Sequence, residues 1–168
     1  MSNKMKIIQF RTLSGPNYWS LRPCIQMLLD IGRLEELPTN KIDGFYDRFT
    51  KALPTIHDHR CSIGKAGGFF QRVEEGTWMG HVVEHVALEL QTLAGMDTGF
   101  GRTRETGDKG IYHVVFSYIV SEVGKRAGEL SVDLCEKLIR GDKYDLDAVV
   151  LELKELRERY KMGPSTAS

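Results

Sequence analysis

No apolar run in this 168-residue chain approaches the ~18 residues that a membrane-spanning helix needs, which excludes such a span. Neither sign of charge is in excess. Lys and Arg total 23, as do Asp and Glu, so no global field draws the chain to nucleic acid or to an anionic membrane surface. Any recognition by charge has to be local. Cysteine is scarce: Cys24, Cys61 and Cys135 are an odd number at wide spacing, and no apolar leader-like segment follows MSNKMK. The chain therefore reads as cytoplasmic, with reduced thiols. Internal repeats and low-complexity segments are missing too. What remains, at 41% hydrophobic and 27% charged residues, is the composition of one ordinary folded domain with a sizeable core.

Several reaction classes lack their signatures. There is no Gly-x-Ser-x-Gly elbow, and no cluster of basic and aromatic residues suited to RNA or DNA. The stretch GFGRTRETGDKG is glycine-rich, but it lacks the G-x-x-x-x-G-K-[ST] pattern and follows a helix instead of a strand, so nucleotide binding is rejected.

Along the chain, Met5–Leu13 predicts a strand ended by the turn-forming SGPN. The aromatics of GPNYW read as core anchors, and one short helix is expected inside Ile25–Leu37, broken or bent near Gly32. Phe45, Tyr46, Phe49 and Leu53 recur at helical spacing before Pro54. A loop is expected from His57 to Gly68, followed by a short helix or turn in FFQRVEE. Thr77 is placed to cap a helix running to about Ala94, with Gly95 as its C′ residue. A charged flexible loop comes next, then a strand over Ile111–Val120. Ser121 is expected to cap a long amphipathic helix ended by Gly141, before a final helix in YDLDAVVLELKELRERYK. The class is α+β, a single domain with four or five helices around a small sheet.

The chemistry concentrates in TWMGHVVEHVALELQ. At ~100° per residue, His81, Glu84, His85 and Glu89 share an arc of roughly 140°, while Val82, Val83, Val86, Ala87 and Leu90 fill the opposite one. Imidazoles one turn apart can reach one zinc ion, and the glutamate between them stays close enough to hold a metal-bound water. His-x-x-Glu-His is a metallopeptidase order. The competing reading is a solvated helix face, or a histidine pair satisfied by Glu84 and Glu89.

A catalytic zinc usually takes three protein ligands. Cys61 is the first choice for the third, since its thiolate is a strong donor and Gly64, Gly67 and Gly68 allow close backbone approach. Glu89 and Glu105 come next, and His57, His59 and His113 stay open, although His113 sits in a strand as a half-buried packing residue. Arg102 and Arg104 offer guanidinium forks to carboxylates, and Glu105 and Glu89 offer carboxylates to a cationic group.

The segments LSGPNYWSLR, CSIGKAGGFFQRVEEGTWMGHVVEHVALELQTLAG, GFGRTRET, GIYHVVFSY and GPST occur in this order over essentially the whole chain, which in them resembles the N-terminal domain of the cyanophycin synthetases. The resemblance implies such a domain over residues 1–162 and the start of a linker to an ATP-grasp domain over 163–168. Family enzymes build a polyaspartate chain with arginine on each side-chain carboxyl, using ATP and magnesium in ATP-grasp and Mur-ligase-like domains beyond this one. For this domain the resemblance implies cyanophycin binding and, in some members, metal-dependent cleavage of the polymer into primers. Cleavage maps onto His81, Glu84 and His85, with Cys61 matching a family cysteine. The implied partners are the polymer and the remaining synthetase domains. Two alternatives stand beside the peptidase: a non-catalytic module that anchors the polymer, and an interaction domain for homo-oligomer assembly.

Overall fold

Within Cys24–Asp30, Ile25, Met27 and Leu29 recur at a spacing of two, and that period builds the centre of the molecule. In a computed structural model that describes residues 4–59 and 64–166, this segment forms strand β2, paired antiparallel with β1 (Lys6–Leu13). Ile25, Met27 and Leu29 are fully buried on one face, while Gln26, Leu28 and Asp30 are half-buried on the other. The helix expected inside Ile25–Leu37 is therefore corrected to a strand followed by a 3₁₀ turn over Gly32–Glu36. The sheet continues with β3 (Gly101–Glu105) and β4 (Ile111–Ser117), in the order β1-β2-β4-β3 with every pair antiparallel. Met27 lies opposite Val114, and Val114 opposite Thr103.

The charged loop after residue 95 is the second correction: Arg102, Arg104 and Glu105 belong to β3, an edge strand whose register is set by β4. Only one neighbour and no long apolar run mark this strand, so its polar sequence reads as a loop when taken alone.

Five α-helices are described, in keeping with the α+β expectation: α1 (Phe45–Ala52), α2 (Gly68–Glu75), α3 (Met79–Leu93), α4 (Ser121–Arg140) and α5 (Leu146–Thr166). α3 packs on β3 and β4, and α4 packs on α3 and β2 with α5 outside it. Helix α3 is buried almost all round, by Val82, Val83, Val86 and Leu90 on one side and by Glu84, His85 and Glu89 on the other. The solvated-face reading of this helix is thus overturned. No described helix is long and apolar enough to cross a membrane.

The caps divide. Gly95, at φ 87, follows the C-cap Ala94, and Gly141 closes α4 in the left-handed conformation, as expected. Neither Thr77 nor Ser121 caps a helix, because the N-caps are Trp78 and Val120, without side-chain bonds. Thr77 instead turns its hydroxyl to His81. Tyr18 is no core anchor, being 86% exposed, whereas Trp19 donates Nε1–H to Gln26 and lies against His113.

Candidate metal centre

Little more than one turn of α3 holds the polar groups of the site. Residues i, i+3 and i+4 project to one side, and ligand-capable atoms of His81, Glu84 and His85 lie within 4.8 Å of one another. They face a cavity of about 910 Å³ that is also lined by His59, Arg72, Trp78, Arg102, Thr103, Glu105 and Tyr112. Two imidazoles and a carboxylate at this separation form a donor set that suits zinc or a similar divalent ion.

Neighbouring elements hold each group. Phe69 of α2 stacks on the His85 ring at 3.7 Å between centroids and meets His81 edge-on at 5.1 Å. His81 Nδ1 lies 3.0 Å from Thr77 Oγ1. Glu84 Oε1 accepts a 2.8 Å hydrogen bond from Thr103 Oγ1 of β3, and Oε2 is 3.6 Å from His85 Nε2. This edge strand comes very close: a Cβ on Gly101 would stand 2.6 Å from Glu84 Oε2, and one on Gly80 would stand 3.3 Å from Thr103 Cγ2. Glycine at both positions lets α3 and β3 approach until the Thr103 hydroxyl reaches the carboxylate.

Burial dominates the electrostatics. The Glu84 carboxyl is raised to about 7 by desolvation, opposed by the Thr103 hydrogen bond and the Arg102 charge. His81 is lowered to about 4 by burial and then by the charge of Arg72. His85 falls well below the ordinary imidazole range, again through burial first and then through His81 and His59. In the metal-free protein both imidazoles are thus neutral near pH 7, the form in which they can ligate.

Of the residues named from sequence, the structure brings together His81, Glu84 and His85, with Arg102 and Glu105 on the same cavity. Cys61 lies outside the described residues. Glu89 does not reach the cavity. It is 2% exposed, accepts a 2.5 Å hydrogen bond from Thr55 Oγ1, and lies 3.5 Å from His59 Nε2, so its assignment to substrate is corrected. Arg104 likewise does not line it, since it stands opposite His113 in the β3–β4 register, two residues along the exposed face from Arg102. His57 is exposed beside Asp58, and His113 is half-buried with Nδ1 3.4 Å from Gln26.

Sequence reasoning missed Arg72, Trp78, Thr103 and Gly101. Arg72 lines the cavity and carries a buried Nε without a hydrogen-bond partner among the described residues. Trp78, 43% exposed at the cavity, is fixed by an Nε1–H bond to the Glu35 carbonyl. Only Trp78 had a local signal, three residues before the motif.

The profile of the cyanophycin synthase-like N-terminal domain matches residues 26–140. The chain belongs to this family. It is 52% identical over 167 residues to the cyanophycin synthetase of Geminocystis herdmanii, covering 96% of this chain and 19% of that protein. The cyanophycin synthetases of Trichormus variabilis and Synechocystis sp. are each 50% identical over 167 residues, again across 96% of this chain. The chain thus spans about a fifth of the length of these curated relatives, 18% to 19%. The match includes α3, β3 and β4, so the His81–Glu84–His85 group lies inside the family domain.

Proposed function

We propose that this domain binds cyanophycin and hydrolyses its backbone amides, producing short chains that serve as primers for the ligase domains of a cyanophycin synthetase. The observation that carries this reading is the buried His81–Glu84–His85 group at the wall of an open cavity, inside a domain whose relatives are named for the polymer. His81 and His85 would hold zinc, with Cys61 as the proposed third ligand. When bound, the ion supplies Lewis acidity toward an amide carbonyl and a water molecule.

The chain's own residues do the remainder. Glu84 takes a proton from the water whose oxygen attacks the carbonyl carbon, and delivers it to the amide nitrogen as the C–N bond breaks. Thr103 donates to Oε1, which leaves Oε2 as the oxygen turned toward His85 and the proton. Arg72 offers a guanidinium to a carbonyl or carboxylate oxygen of the substrate. Trp78 presents an orientationally fixed ring face to an arginine side group, and Glu105 a carboxylate.

The test is chain length. Zinc-loaded protein incubated with cyanophycin is expected to shorten the polymer, and chelator or Glu84→Gln is expected to slow this by at least ~100-fold. Undiminished shortening under both treatments would exclude the mechanism. No shortening by the zinc-loaded protein, with polymer still retained on it, would favour the anchoring module.

A further inference from the structure

From the cavity wall, a line of polar contacts runs from Glu84 and His85 through His59 and Glu89 to Thr55, and the hydrolytic step does not use the last three. Thr55 Oγ1 donates to Glu89 Oε2 at 2.5 Å, and Glu89 Oε1 is 3.5 Å from His59 Nε2. His59 Nδ1 is 2.9 Å from His85 Nδ1, and His85 Nε2 is 3.6 Å from Glu84 Oε2. The side chains of Glu89 and His85 are 3% and 7% exposed, so water does not compete freely for these contacts.

Proton positions along this line follow from what each group can give. Two ring nitrogens at 2.9 Å share one hydrogen, so one of His59 and His85 donates from Nδ1 and the other accepts. A carboxylate has no hydrogen to offer, so Glu89 favours the His59 form that carries its proton on Nε2. A neutral imidazole has one N–H; His59 Nδ1 is then a lone pair, and His85 must donate to it. His85 is left with its own lone pair on Nε2, the nitrogen nearest Glu84.

We infer that His59 and Glu89 are a positioning pair that locks His85 in the Nδ1–H tautomer and aims its Nε2 at the metal. This rests on the reading of His81, Glu84 and His85 as a metal site. It also removes His59 from the candidates for third ligand, because its Nδ1 is taken by His85 and its Nε2 faces the buried Glu89 carboxyl. The Phe69 ring stacked on His85 holds the imidazole plane but does not select a tautomer, so the selection comes from His59. Outer-shell acceptors of this kind are what ligating histidines ordinarily have, and their loss costs about 10- to 100-fold in metal affinity.

The decisive measurement is long-range 1H–15N NMR of the histidine side chains in the intact protein, metal-free and zinc-loaded, together with zinc affinity by chelator competition. Wild-type His85 is expected to show a protonated Nδ1 and an unprotonated Nε2 in the metal-free protein. His59→Ala should populate the other tautomer and weaken zinc binding by about 10- to 100-fold. His59→Asn, whose side-chain oxygen can fall near the lost Nδ1 and accept the same hydrogen, should recover most of that affinity. Thermal melts of the metal-free variants separate misfolding from loss of positioning. A wild-type His85 protonated on Nε2, or equal zinc affinity in the wild type and a folded His59→Ala, overturns the inference. Failure of the peptidase reading would look different: polymer length would not change, while the tautomer and its dependence on His59 stayed as described.

Discussion

Glu84 is a carboxyl whose surroundings oppose its charge, and that has a measurable sign. Its pKa rises from 4.5 to about 7 on folding, so the unfolded chain loses this proton first as pH increases. Between those values the folded state becomes less stable relative to the unfolded one, and the deficit is complete above the folded pKa. In chelator, Glu84→Gln should therefore gain on the wild type as pH rises from 5 to 8, by on the order of 3 kcal/mol if the whole shift is expressed. Denaturant midpoints at the two pH values measure it, and an equal difference at both would refute the buried-carboxyl account. His81 runs oppositely: lowered from 6.5 to about 4, it costs the fold stability as pH falls through that interval. This trio was legible in sequence because one helix fixes the mutual placement of residues 81, 84 and 85. Thr103, Arg72 and the contacts of Glu89 with Thr55 and His59 were not, since these are set by packing between elements distant along the chain.

Elements differ in how openly they announce themselves. α1, α3 and α4 carry apolar residues at helical spacing and lie close to where periodicity predicts them. β2 was misread because seven residues with apolar side chains on both faces satisfy a helix nearly as well as a strand, and the arbiter is its pairing with β1 and β4. β3 hid behind its charges. Its contact with α3 is also where a single methyl should matter most, because Gly101 has the Glu84 carboxylate where a side chain would go. Gly101→Ala is expected to cost about 1–3 kcal/mol through overpacking, and to lower polymer hydrolysis at least tenfold by displacing the base. Thermal or chemical denaturation and the chain-length assay would check the pair, and wild-type hydrolysis in the variant would contradict the close seat described for Glu84.

For the whole molecule, the site is a set of polar groups in a place the core would otherwise fill, and an ion that binds only the folded form should be felt globally. Zinc at about 100 times its dissociation constant stabilises by about 2.7 kcal/mol, or roughly 5–10 °C in melting temperature for a domain of this size. Glu84→Gln should keep this increment and His81→Ala should lose it, as differential scanning fluorimetry with and without zinc would report. A zinc response that survives His81→Ala would place the ion elsewhere.

Edge position gives the two halves of this centre unequal stiffness. The imidazoles ride on α3, enclosed by the sheet, α4 and Phe69, whereas the hydroxyl that steadies Glu84 rides on β3, which has a strand on one side only. Thermal motion that peels β3 outward loosens Glu84 and leaves His81 and His85 in place. Warming should therefore degrade the proposed proton transfer before it releases a bound ion, and the upper limit of the temperature range for turnover would be a property of one strand's edge.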